Sequence, residues 1–96
     1  TTHVVVTPDQ VEPWPVTSFE TLDTSDFEHL RDLRSEVVLL GTGTQQRFPH
    51  PRLTRPLADA RIGLEVMDTQ AACRTYNILA AEGRRVAAAL FVDTER

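Results

Sequence analysis

From Glu36 onward, short unbroken apolar runs alternate with stretches that open on a helix cap and close on a turn, and this alternation restricts the fold more than any other feature. EVVLL (36–40), IGLEVM (62–67) and RRVAAALFV (84–92) read as strands, the first suited to cover on both faces. HVVVT (3–7) is a further β-branched strand, stopped by Pro8. Between the runs lie three helices. In SDFEHLRDLR, Ser25 and Glu28 have capping-box spacing, and Phe27, Leu30 and Leu33 share a face. Asp26 and the pair Arg31 and Arg34 complement the helix dipole. Thr54 is expected to cap a short helix through RPLADA, with Pro56 in its first turn. Asp68 or Thr69 caps a longer helix that runs to Glu82 and is stopped by Gly83. The order β-α-β-α-β-α-β predicts an α/β fold with a largely parallel sheet. Residues 8–24, rich in proline, read as a loop pinned by Trp14, which covers one end of the core.

Ninety-six residues suit one domain, 1–96, with a modest core. The first residue is Thr1 and a strand follows almost at once, so a domain truncated at its N-terminus is expected. No run approaches the roughly 18 apolar residues of a membrane span. A single cysteine fits a reducing compartment: the cytoplasm, or the mitochondrial matrix in a eukaryotic source. The net charge of −4 argues against nucleic acid as a partner. That charge is uneven: residues 1–36 hold eight acids and two arginines, residues 37–96 six acids and eight arginines. All ten basic residues other than histidine are arginine, which suits carboxylate and phosphate partners.

The segment EVMDTQAACRTYNILAAEGRR holds the only cysteine, methionine and tyrosine. At 100° per residue, Ala72, Cys73, Tyr76, Leu79 and Ala80 share one apolar face, and Ala71, Thr75 and Ile78 form a second patch. Such a helix is expected to lie on the sheet and against something further: a loop, another segment or another subunit, so a homo-oligomer is left open. Cys73 is read as an unreactive core thiol, past the first turn and without a nearby histidine. Arg74 and Asn77 lie on the narrow polar stripe, where they either hold a neighbouring backbone group or line a cleft.

Parallel sheets collect ligands at the C-terminal ends of their strands. Two features converge there: the turn Gly41–Thr42–Gly43 after EVVLL, and Met67–Asp68–Thr69 opening the long helix. With Arg74 and Asn77 they make up the candidate cleft, where backbone N–H groups favour an anion. Asp68 competes for the same N–H groups as a cap. GTGTQQR is neither a dinucleotide fingerprint nor a P-loop, and no metal, thiol or serine-hydrolase motif is present. No catalytic residue, metal or cofactor is assigned.

VVLLGTG followed by GLEVMDTQAACRTYNILAAEGRRVAAAL, with TPDQVEPWPV upstream, resembles the small-domain family that includes mitochondrial complex I assembly factor three and the adipogenesis-associated domain proteins. The resemblance implies a three-layer fold around a central mixed sheet, with an additional N-terminal hairpin whose matching residues are expected to be missing from this chain. It implies no established reaction. The arginine bias is that of a bacterial member. The function expected is a non-catalytic accessory or interaction domain assisting assembly of a respiratory or other multi-subunit complex, with complex subunits or assembly factors as partners. The alternative is a small-anion or nucleotide-binding protein, or a weak enzyme, using the cleft just described.

Overall fold

The computed structural model describes residues 3–92. Five strands form one sheet: β1 (His3–Val6), β2 (Val11–Trp14), β3 (Val37–Gly41), β4 (Gly63–Met67) and β5 (Val86–Leu90), in the spatial order β2-β1-β5-β3-β4. β3 is parallel to both β4 and β5, whereas β1 is antiparallel to β2 and β5, so the sheet is mixed. Three helices, α1 (Thr24–Arg31), α2 (Pro51–Asp59) and α3 (Thr69–Ala81), complete the α/β fold.

The layers follow from chain direction. The connection β3-α2-β4 moves outward to the sheet edge, and β4-α3-β5 moves back across β3. Right-handed crossovers taken in opposite directions place their helices on opposite faces. Accordingly Leu57 of α2 and Phe27 and Leu30 of α1 pack on Val38, Leu40, Ala87 and Ala89. Ala72 of α3 packs on Val37, Leu39, Val86, Ala88 and Leu90. β3 and β5 are buried along their whole length because each face of each strand carries a helix, and this is why neither shows polar alternation.

Four expectations are corrected. Residues 8–24 are not one loop: Val11–Trp14 pairs with β1 in an antiparallel hairpin closed over Pro8 and Asp9. Pro13 is accommodated because β2 is an edge strand, where a missing donor need not break a ladder. The cap of α1 is Asp23 rather than Ser25. Its carboxylate accepts from the backbone of Ser25 and Asp26, and Asp26 reciprocates at the Asp23 N–H at 2.9 Å. A carboxylate at that position recruits Ser25 itself, whose hydroxyl donates to Asp23 at 2.6 Å.

The third correction concerns α2, which starts one turn before the expected cap. His50 Nδ1 accepts from Arg52 N at 3.0 Å, Pro51 takes the first helical position, and Pro56 lies inside the helix. Thr54 donates back to the Pro51 carbonyl instead of capping. Finally, Cys73 is exposed, not in the core. With a single helix on that face of the sheet, the buried side of α3 narrows to Ala72, flanked by partly buried Tyr76, Leu79 and Ala80. Cys73 falls on the solvent side of that arc.

Two arginines, Arg34 (φ 59°) and Arg61 (φ 61°), take the left-handed conformation where α1 and α2 turn into the next strand. Gly83 (φ 80°) does the same after α3. All three helices therefore close with one left-handed residue, the device that glycine fills most easily.

Candidate functional site

The ends of β3 and β4, the start of α3 and the residue after β5 meet at one end of the sheet. Gly41 is the closing residue of β3 rather than part of a free turn. A Cβ there would lie 2.9 Å from Leu90 Cδ2, 3.0 Å from Thr69 Cα and 3.1 Å from Ala72 Cβ, so the bare backbone is what lets α3 seat on the sheet. Gly43, at φ 91°, supplies the left-handed turn that follows.

The polar groups between these glycines are bonded to one another. Thr42 N donates to Met67 O at 2.9 Å. The Thr42 hydroxyl, 1 % exposed as a residue, donates to Gln45 O at 2.6 Å and accepts from Arg47 N at 3.1 Å. Thr69 is the junction: its N–H donates to Gly43 O and its hydroxyl accepts from Gly43 N, both at 2.8 Å. The same hydroxyl donates to Phe91 O at 2.7 Å. Phe91 N in turn donates to Gly41 O at 2.8 Å. Asp68 caps α3, accepting from Ala71 N at 2.8 Å. One threonine thus ties β3, α3 and the end of β5 together.

Beside this knot lies a depression of about 370 Å³, lined by Gly43, Thr44, Asp68, Thr69, Gln70, Phe91 and Val92. Of the eight candidate residues, Gly41, Thr42, Gly43, Met67, Asp68 and Thr69 are gathered at this end. Arg74 and Asn77 are not. They are exposed, five and eight residues farther along α3 than Thr69, which is about 7 and 12 Å of helix. Two arginines that could bring charge, Arg47 and Arg55, are occupied elsewhere. Arg47 Nη1 lies 2.7 Å from Glu20 Oε2, with its guanidinium 4.5 Å above the Phe19 ring. Arg55 pairs with Asp59 at 3.8 Å on the surface of α2. Among the described residues no group of three or more His, Cys, Asp or Glu side chains converges as a metal site would require.

Phe91 is the residue that sequence reasoning missed. Its ring meets His3 at 4.8 Å, Trp14 at 5.2 Å and Phe19 at 6.1 Å between centroids. His3 Nδ1 accepts from Val92 N at 3.0 Å, fastening β1 to the same corner. Placed at the end of an apolar run, Phe91 gives no sign in one dimension that three aromatic partners from distant segments gather on it. Trp14 does cover one end of the core, as expected, and is 2 % exposed. A second missed contact is Gln46, whose amide donates to Val66 O at 2.9 Å and so blocks one carbonyl of the open edge of β4.

Comparison with known proteins adds the following. A family described as "Protein of unknown function (DUF498/DUF598)" matches residues 1–91. The mouse protein named NADH dehydrogenase [ubiquinone] 1 alpha subcomplex assembly factor 3 is 35 % identical over 88 residues, which cover 90 % of this chain and 48 % of the relative. The chain thus spans about half the length of the curated assembly factors it matches. A crystal structure of a Bordetella parapertussis protein superposes with a TM-score of 0.89 at 44 % identity, covering 96 % of this chain and 80 % of that one. A solution structure of a Bordetella pertussis protein, described as a Mth938-like domain, gives 0.82 at 35 %, covering 94 % and 73 %. No described helix is long and apolar enough to cross a membrane.

Proposed function

Because the chain belongs to the DUF498/DUF598 family, we propose that it is a non-catalytic accessory domain that assists assembly of a multi-subunit respiratory complex by holding a protein partner. The observation that carries the reading is the likeness over nine-tenths of the chain to proteins named as assembly factors of NADH dehydrogenase. The site geometry is in keeping with it. At the end of the sheet where a ligand-binding α/β protein offers free donors, Gly43 N, Thr69 N and Ala71 N are bonded within the chain. An anion entering there would have to displace bonds that hold α3 to the sheet. A cytoplasmic site of action, or the mitochondrial matrix in a eukaryotic source, and a bacterial origin belong to the same proposal.

The test is affinity purification of the full-length protein from its source, with quantitative mass spectrometry. Subunits of one multi-subunit complex, or a dedicated assembly factor, should be enriched in near-stoichiometric amount. A protein that emerges alone, yet gains thermal stability with phosphate or a nucleotide, would overturn the reading in favour of ligand binding at the cleft. A bound ligand at 100 times its Kd stabilises by about 2.7 kcal/mol, well within reach of a melting assay.

A further inference from the structure

The outer side of α3 carries a row that is complementary to itself. Arg74, Ile78 and Glu82 recur at four-residue intervals, so they lie along one flank within roughly 80° of arc. All three are exposed, and Ile78, at 58 %, is among the few large apolar side chains left in water. Among the described residues neither Arg74 nor Glu82 makes an ion pair. Thr75, Ala71 and Ala81 border the row with small side chains that permit close approach. Thr75 donates to Met67 Sδ at 3.6 Å, so this flank looks toward edge strand β4, and no described segment packs over Ile78.

Glu82 is also an acid at the C-cap of α3, where the helix dipole disfavours negative charge, and the last turn holds no basic residue to offset it. Arg84, two residues past the cap, interacts with Glu82 but is bonded to Glu36 at 2.9 Å, so a further positive group from outside would relieve that placement. The order plus, apolar, minus at equal spacing supplies one if the helix meets its own copy in reverse.

We propose that α3 pairs with α3 of a second copy of this chain, antiparallel about a twofold axis at Ile78. In that arrangement Ile78 meets Ile78 of the partner subunit. Arg74 of each copy faces the partner's Glu82, and the small neighbours let the helices approach. A contact confined to a helix about 20 Å long is small, which places the dimer in the weak, reversible class. The inference does not depend on the assembly role.

Sedimentation of the full-length protein over a wide concentration range tests it. The protein should move from monomer to dimer as concentration rises, and the transition should shift to higher concentration with salt. Arg74→Glu and Glu82→Arg, each alone, set like charges across the axis and should leave the protein monomeric. Both together restore opposite charges and should restore the dimer. Ile78→Cys in a Cys73→Ala background should form an inter-chain disulfide on mild oxidation, because the residue faces itself. These positions are exposed, and circular dichroism checks that each variant is folded. A protein that stays monomeric at every concentration overturns the proposal. So does a dimer that survives both single reversals, or one that the double exchange fails to restore.

Discussion

Gly41 has no need of a left-handed backbone; what it lacks is room. Thr69 Cα and Ala72 Cβ stand at about 3 Å from where its Cβ would be, and Leu90 Cδ2 closer still. The leucine can rotate, but the Thr69 backbone cannot move without lifting α3. Gly41→Ala is therefore expected to destabilise by about 1–3 kcal/mol, the range for an overpacked core. Chemical denaturation should show this as a lower midpoint. An unchanged midpoint would mean that α3 rides up at no cost and that its seat on the sheet is loose.

At the scale of the element, the start of α1 carries two carboxylates with opposite titration behaviour. The Ser25 hydroxyl, with backbone N–H groups, holds Asp23 below the usual carboxylate value. Burial pushes Asp26 upward despite its bond to the Asp23 N–H. An acid whose pKa is depressed by folding stabilises above its unfolded value and loses that contribution as pH falls through the folded one. Asp26 works the other way, disfavouring the fold when ionised and relaxing in acid. Asp23→Ala should thus lower the denaturation midpoint at neutral pH, and the gap to the parent should narrow as pH drops below about 4. A gap that stays constant down to pH 2 would show that the cap acts without its charge.

The same helix shows why elements were more legible than their boundaries. Strands β3, β4 and β5 and all three helices were readable, since burial on two faces or one leaves a periodic trace. Caps were not, because Ser25 and Asp23 satisfy local rules almost equally and their contest is settled by geometry. β2 escaped because Pro13 and Pro15 bracket its last residue, and only pairing to β1 makes this stretch a strand. At the candidate site the glycines and Asp68–Thr69 were found by position, but not their hydrogen-bond partners. That Thr69 reaches both Gly43 and Phe91 depends on segments 22 and 26 residues away. Cys73 was misplaced for a related reason: apolar arc on a wheel counts candidates for burial, while the number of layers decides how many are used.

Over the whole molecule, protection should be graded from the centre outward. β3 and β5 are wholly buried and bonded on both sides, whereas β2 and β4 each have one open edge. Amide hydrogen exchange is expected to be slowest in β3 and β5, approaching the global unfolding limit, and faster in β2 and β4. Equal protection of β2 would mean that its outer edge is covered by something more than solvent.

The strand at the middle of this sheet is also the last of the five to be made. Until Val86–Leu90 leaves the ribosome, the hairpin of β1 and β2 and the pair β3 and β4 have no neighbour to join them, because β5 alone lies between. Between the synthesis of Met67 and that of Leu90, a nascent chain therefore holds two separate half-sheets with unsatisfied edges. Its dependence on holding chaperones should end abruptly, when that short run of alanines emerges.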